Sequence, residues 1–159
     1  MVRAMPNICA KVGESVSFLC KGRYVTAQDL KVSRMLFSSV GEVFLTNERL
    51  LDRVTSVSGS GPGYIYYFMD CMYRKARDLQ FRHEEAKRMI IHTFLGAARL
   101  ACVSGKDFNT LLGEVASAKG TTQAALNVFR KKRFSKTISS GMDAALRRAR
   151  EISCQYSKR

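Results

Sequence analysis

The chain has 159 residues, 46% hydrophobic and 25% charged, with 27 Lys or Arg against 13 Asp or Glu and a formal net charge of +14. This composition excludes an intrinsically disordered polymer, and the length suffices for one sound core that buries roughly two thirds of the unfolded surface. The longest strongly apolar run, Tyr64 to Met69, is far too short to span a bilayer, and Arg3, Pro6, Asn7, Lys11 and Glu14 interrupt any apolar signal region, so a soluble, cytoplasmic protein is expected. Cysteines at 9, 20, 71, 102 and 154 form no CxxC pair, and neither His83 nor His92 has a partner at zinc-ligand spacing. No metal site is expected, and the cysteines read as reduced thiols acting as small apolar fillers.

In chain order, SVSFLCKG from Ser15 alternates Val16, Phe18 and Cys20 against Ser15, Ser17 and Lys21, the period of a short strand. Thr26 caps a helix over TAQDLKVSRMLFSSVG, with Leu30, Val32, Met35 and Leu36 expected to face inward and Gly41 to end it. EVFLTN from Glu42 reads as a second strand. Strand signals stop after Asn47, which predicts a domain boundary: residues 1–47 as strand, helix and strand, residues 48–159 as five or six helices.

The stretch SGSGPGY, Ser58 to Tyr64, has glycines at 59, 61 and 63, and it invites comparison with the dinucleotide fingerprint G-x-G-x-x-G. That fingerprint needs a preceding strand and a third glycine one turn into the next helix. Tyr64 occupies the third position, and Leu50, Leu51 and Val54 before it have helical spacing. The stretch is therefore expected to join two helices, with Ser58 or Ser60 capping free amides and Pro62 in the first helical turn. After Pro62, the residues Ile65, Phe68, Met69, Met72, Ala76 and Leu79 form one apolar stripe, and Tyr64, Tyr67 and Cys71 form a second. A helix over His83–Val103 places Ala86, Met89, Ile90, Thr93, Phe94, Ala97, Ala98 and Ala101 on one face, with Gly96 to Ala98 open to close helix approach and Glu84 set to pair with Arg88. So much apolar surface on short helices predicts a partner subunit.

Ten Lys or Arg lie between Arg130 and Arg159 against only Asp143 and Glu151. Such a tail attracts phosphate backbones, but no nucleic-acid recognition motif accompanies it. From Thr137 to Ser153, the positions Ile138, Met142, Ala145, Ala149 and Ile152 mark an inner face and leave Arg147, Arg148 and Arg150 outside as a solvated face. That apolar side lacks aromatic residues, which argues against membrane-surface binding.

RAMPN at Arg3–Asn7 followed by VGES at Val12, LLDRVTSVSGSGPGY at Leu50–Tyr64, LGAARL at Leu95–Leu100 and SAKGTTQAAL at Ser117–Leu126 occur in the order and spacing of the pyrroline-5-carboxylate reductases, which the chain resembles over nearly its whole length. The resemblance implies a mainly α fold: a helical dimerisation domain, residues 48–159, preceded by the strand-helix-strand end of a Rossmann domain, residues 1–47. In the family, a dinucleotide-binding region of about a hundred residues, the size of a small domain, precedes the RAMPN motif. The family reduces the ring imine of 1-pyrroline-5-carboxylate to L-proline with NADPH or NADH, and its helical domains interlock as homodimers.

The resemblance further implies that Met5, Pro6 and Asn7 face the cofactor, that Ser117, Gly120 and Thr121 bind the substrate carboxylate at a helix N-terminus, and that the Thr122 hydroxyl sits against the substrate nitrogen as the catalytic group. Read without the family, Thr121 or Thr122 is the N-cap of the helix QAALNVF. Three departures stand out. Ala118 and Lys119 replace the Pro and first Gly of the family's SPGGTT loop, so Lys119 is strained if that position needs positive φ, or else its ammonium aids carboxylate binding. Ile8 and Cys9 replace the Thr and Pro of MPNTP. Gly63 replaces the usual Ala, at a cost of up to about 1 kcal/mol in a helix. With no G-x-G-x-x-G in these residues, the chain is expected to be inactive alone, holding no cofactor tightly, and to need a separate cofactor-domain half. The other reading is a non-catalytic homodimeric interaction protein whose basic C-terminal helix binds an acidic partner or RNA.

Overall fold

The structure is a computed structural model that describes residues 1–157. Strands β1 (Val2–Met5), β2 (Ser15–Lys21) and β3 (Gly41–Thr46) form one sheet in the order β1-β2-β3, with β1 antiparallel to β2 and β2 parallel to β3. A parallel pair needs a crossover, and α1 (Ala27–Ser38) supplies it. Thr26 and Asp29 start this helix with a reciprocal capping box: the Asp29 amide donates to Thr26 Oγ1 at 3.1 Å, and the Thr26 amide donates to Asp29 Oδ2 at 2.9 Å. Hydrogen bonds from the Thr26 side chain and backbone hold the Asp29 carboxyl below its ordinary pKa. Gly41 opens β3 at φ 144°, and a Cβ there would lie 2.1 Å from the Ser15 carbonyl oxygen, so only glycine fits.

Strand β1 carries no sequence signal. Its four residues are too few to show an alternation, and pairing with β2 makes it a strand. On α1, the half-buried residues are Leu30, Ser33 and Phe37, while Val32, Met35 and Leu36 are exposed, contrary to the expected inward set. A three-stranded sheet covers only one narrow face of a helix, and the wider apolar side of α1 meets nothing.

Helices α2 (Glu48–Val54), α3 (Gly61–Asp78), α4 (His83–Ser104), α5 (Phe108–Val115), α6 (Thr121–Lys131) and α7 (Phe134–Ser157) follow. The glycine-serine stretch is more helical than expected. Thr55–Gly59 forms a π turn closed by the Ser60 amide donating to the Thr55 carbonyl at 2.8 Å, and α3 starts at Gly61 with Pro62 buried in its first turn. Neither serine side chain caps this helix. The Ser60 carbonyl accepts from the Gly63 and Tyr64 amides, and the Ser58 hydroxyl donates to the Val16 carbonyl at 3.4 Å.

The described chain divides into two compact units, residues 1–65 with 139–159 and residues 66–138. The first is organised on Leu19, Ser15, Ser17 and Leu51, each at most 2% exposed. Phe18 stacks on Phe44 at 5.1 Å, Arg3 pairs with Glu48, and Ser153 of α7 donates to Asp52 of α2 at 2.6 Å. On α7, Met142, Ala145, Leu146, Ala149 and Ser153 turn inward, Arg147, Arg148 and Arg150 outward, and Ile152 stays exposed.

In the second unit, Ala76 of α3 and Ala86 and Ile90 of α4 are the buried residues, and Phe68 joins Phe94 and Phe134 at 5.8 and 5.9 Å. Glu84 pairs with His83 at 3.3 Å instead of with Arg88. Tyr67, Leu79, Leu95, Leu100 and Val103 remain 41–81% exposed, and Cys71 and Cys102 are exposed too, so of the five cysteines only Cys20 is a buried filler.

Candidate functional site

In the second unit, the candidate site is the loop that opens α6. Ser117–Gly120 is a four-residue turn in which the Gly120 amide donates to the Ser117 carbonyl at 2.9 Å. Lys119 occupies its third position at φ 67°, in the left-handed region that favours glycine. A non-glycine residue there stores strain of roughly 1–2 kcal/mol. Gly120 is needed for another reason: its φ is negative, but a Cβ would sit 2.6 Å from Ser117 Oγ and 3.0 Å from its carbonyl oxygen.

The N-cap of α6 is Gly120, and no side chain caps the helix, so Thr121 and Thr122 are its first two residues and neither is the cap. A glycine cap leaves the first amides of α6 without a side-chain acceptor, at the positive end of the helix dipole, which is how a helix receives a carboxylate. Thr122 and Gly120 are half-buried, and Ser117, Lys119 and Thr121 are exposed. The turn therefore brings together Ser117, Lys119, Gly120, Thr121 and Thr122. Basic residues Arg130 and Lys131 at the far end complete the favourable charge arrangement of α6.

In the first unit, Met5 ends β1, Pro6 and Asn7 follow it, and both the oxygen and the nitrogen of the Asn7 side chain are hydrogen-bonded. Its Oδ1 accepts from the Cys9 amide at 3.1 Å, capping the 3-10 turn Ile8–Val12, and its Nδ2 donates to the Ser58 carbonyl at 3.2 Å and contacts Ser58 Oγ at 3.4 Å. Asn7 is a clasp between β1 and the π turn, 51 residues away in sequence. Met5 lies under the same turn, its methyl 2.7 Å from where a Gly59 Cβ would stand, so a side chain there would have to displace the flexible end of Met5. Sequence reasoning missed Ser58 as the partner of Asn7. The only signal was their joint presence in two separated motifs.

A dinucleotide asks for a glycine-rich turn between a strand and a helix. The glycine-rich stretch here runs from one helical segment to the next. Among the described residues no cluster of His, Cys, Asp or Glu could hold a metal ion, and no helix is long and apolar enough to cross a membrane.

Residues 48–152 match the family model for pyrroline-5-carboxylate reductase dimerisation. The chain is 31% identical over 156 residues to pyrroline-5-carboxylate reductase 2 of Bacillus subtilis, covering 98% of this chain and 56% of that protein, and 35% identical over 152 residues to the Arabidopsis thaliana enzyme, covering 96% and 55%. The chain spans little more than half the length of these relatives. Among solved structures, the Coxiella burnetii reductase superposes with a TM-score of 0.88 at 30% identity over 94% of this chain and 56% of that one. The Plasmodium falciparum reductase with NADP bound gives 0.88 at 26% identity over 93% and 61%. A three-stranded sheet followed by a run of helices, four motifs in register and a family model spanning most of the chain lead to one conclusion: the chain belongs to the pyrroline-5-carboxylate reductase family.

Proposed function

We propose that these residues form the dimerisation and substrate-carboxylate part of a reductase that converts 1-pyrroline-5-carboxylate to L-proline in proline biosynthesis, and that they turn over only when a nucleotide-binding region is joined to them or supplied in trans. The observation that carries this reading is the uncapped N-terminus of α6 opening on the Ser117–Gly120 turn, in a chain whose residues 48–152 match the family.

Reduction of a ring imine needs hydride at carbon and a proton or hydrogen-bond donor at nitrogen. These residues address the nitrogen and the carboxylate. The first amides of α6 and the Ser117 and Thr121 hydroxyls hold the carboxylate, and the Lys119 ammonium adds a mobile counter-charge. That grip fixes the ring so that the Thr122 hydroxyl donates to the imine nitrogen, raising its electrophilicity. NADPH or NADH, as in a relative's NADP-bound structure, is the hydride donor in this reading. Met5, Pro6 and Asn7 are the cofactor-facing residues that the family resemblance implies, with Asn7 acting through its hold on Ser58. The chain works as a homodimer, which covers the apolar faces of α3 and α4; the exposure of Tyr67, Leu79, Leu100 and Val103 supports that role.

The test is proline formation by this polypeptide mixed with a family nucleotide-binding region. Activity is expected only in the mixture, and Thr122→Val is expected to lower kcat about 100-fold, the scale of a positioned proton donor, with KM little changed. Proline formation by the 159 residues alone, or an unchanged kcat in the valine variant, would overturn the assignment.

A further inference from the structure

Positive charge is distributed unevenly. Between Glu114 and Asp143 the sequence holds Lys119, Arg130, Lys131, Lys132, Arg133 and Lys136 and no carboxylate. Five of these fall between Arg130 and Lys136, at the corner where α6 ends and α7 begins, and all five are exposed. Arg130 reaches only the neutral Asn127 Oδ1, at 3.5 Å, and the ion pairs among the described residues lie elsewhere.

Folding does not account for this run. Arg130, Lys131, Lys132, Arg133 and Lys136 are like charges within seven residues with no carboxylate among them, and they repel one another. The C-terminus of α6 tolerates cations, but Arg133 and Lys136 stand at the N-terminus of α7, where the helix dipole favours carboxylates. Arg133 additionally adopts φ 54°, in the glycine-favouring region. The corner keeps a dense charge against three local preferences.

The chemistry that offsets such a charge is a chain of phosphates. Phe129 and Phe134, 40% and 36% exposed, pack on each other at 5.4 Å, and Phe134 packs on Phe68, so one side of each ring is held in an aromatic cluster and neither projects as a free wedge for a lipid surface. We propose that the α6–α7 corner docks the phosphate backbone of a nucleic acid without sequence preference. This surface is separate from the outer face of α7, where Arg148 is already paired with Glu151 at 2.7 Å. It is also independent of the reductase reading.

The experiment is binding of a fluorescein-labelled 20-nucleotide RNA to the full chain, followed against salt. Up to five phosphate contacts give a slope of log affinity on log salt of about −3.5, at about −0.7 per contact on a single strand. Lys131→Gln with Lys132→Gln is expected to weaken binding at least tenfold at low salt and to reduce the slope by about 1.4. Arg133→Gly is expected to weaken binding while raising the melting temperature, because glycine relaxes the left-handed backbone; a structural role alone would move the two together. Arg147→Gln with Arg148→Gln serves as the control and is expected to leave binding within twofold. A slope unaffected by the corner variants, or capture of phosphatidylserine vesicles or polyglutamate in preference to RNA, would overturn the proposal.

Discussion

The two compact units are stabilised differently. Residues 1–65 with 139–159 hold a small but closed interior. Its hydroxyls are paired, Ser15 Oγ lying 3.1 Å from Ser17 Oγ, and its side-chain hydrogen bonds join residues as far apart in sequence as Asp52 and Ser153. Residues 66–138 bury little beyond Ala76, Ala86 and Ile90 and present Tyr67, Leu79, Leu100 and Val103 outward. Apolar burial of about 25 cal/mol per Å² is the main stabilising contribution available to a domain. The first unit gains it within one chain. The second leaves much of it unrealised, which is the exposure the proposed homodimer would cover.

This contrast breaks most sharply in the first unit. Leu19→Ala, at a residue with no exposed surface, is expected to cost about 3 kcal/mol in chemical denaturation, since the cavity has little room to collapse. An equal loss on truncating the exposed Tyr67 in the monomer would erase the distinction. In the second unit the corresponding perturbation acts on association: Tyr67→Asp, at a position 74% exposed, is expected to weaken the dimer at least tenfold in sedimentation equilibrium while helical content by circular dichroism stays constant.

A smaller effect of opposite sign is expected at the substrate loop. Lys119→Gly removes left-handed strain and should stabilise the chain by about 1 kcal/mol in thermal melting, while raising KM in the complemented enzyme if the ammonium assists carboxylate binding. The smallest effect concerns acid. Asp107 caps α5, and hydrogen bonds from Thr110 and Asn109 hold its carboxyl below the ordinary range. A depressed folded-state pKa means that this stabilisation is complete above the unfolded carboxylate value, about 3.9, and fades as pH falls through the folded one. Amide exchange at Thr110 should therefore accelerate below about pH 4, and Asp107→Asn should remove most of that dependence.

Much was legible before any coordinates. The capping box at Thr26 and Asp29, strand β2 and the bounds of α4 follow from spacing alone, because caps and periodicity are local in sequence. The family motifs also located the Ser117–Thr122 loop, and the suspicion that Lys119 occupies a glycine position was met by its φ. Other features were invisible. β1 is a strand only because β2 lies beside it. Leu30, Ser33 and Phe37, and not the more apolar side of α1, face inward because only three strands are present to receive them.

By itself, then, the sequence determined the helical character of the chain, its family motifs and the charge imbalance, all of which depend on composition and on neighbours a few residues apart. Tertiary structure alone decided that Asn7 closes on Ser58 instead of standing free, that Gly120 and not a threonine caps α6, and which apolar residues remain uncovered. The physical reason is that hydrogen-bond partners and buried area are properties of distant segments brought into contact, and no local periodicity encodes which segment arrives.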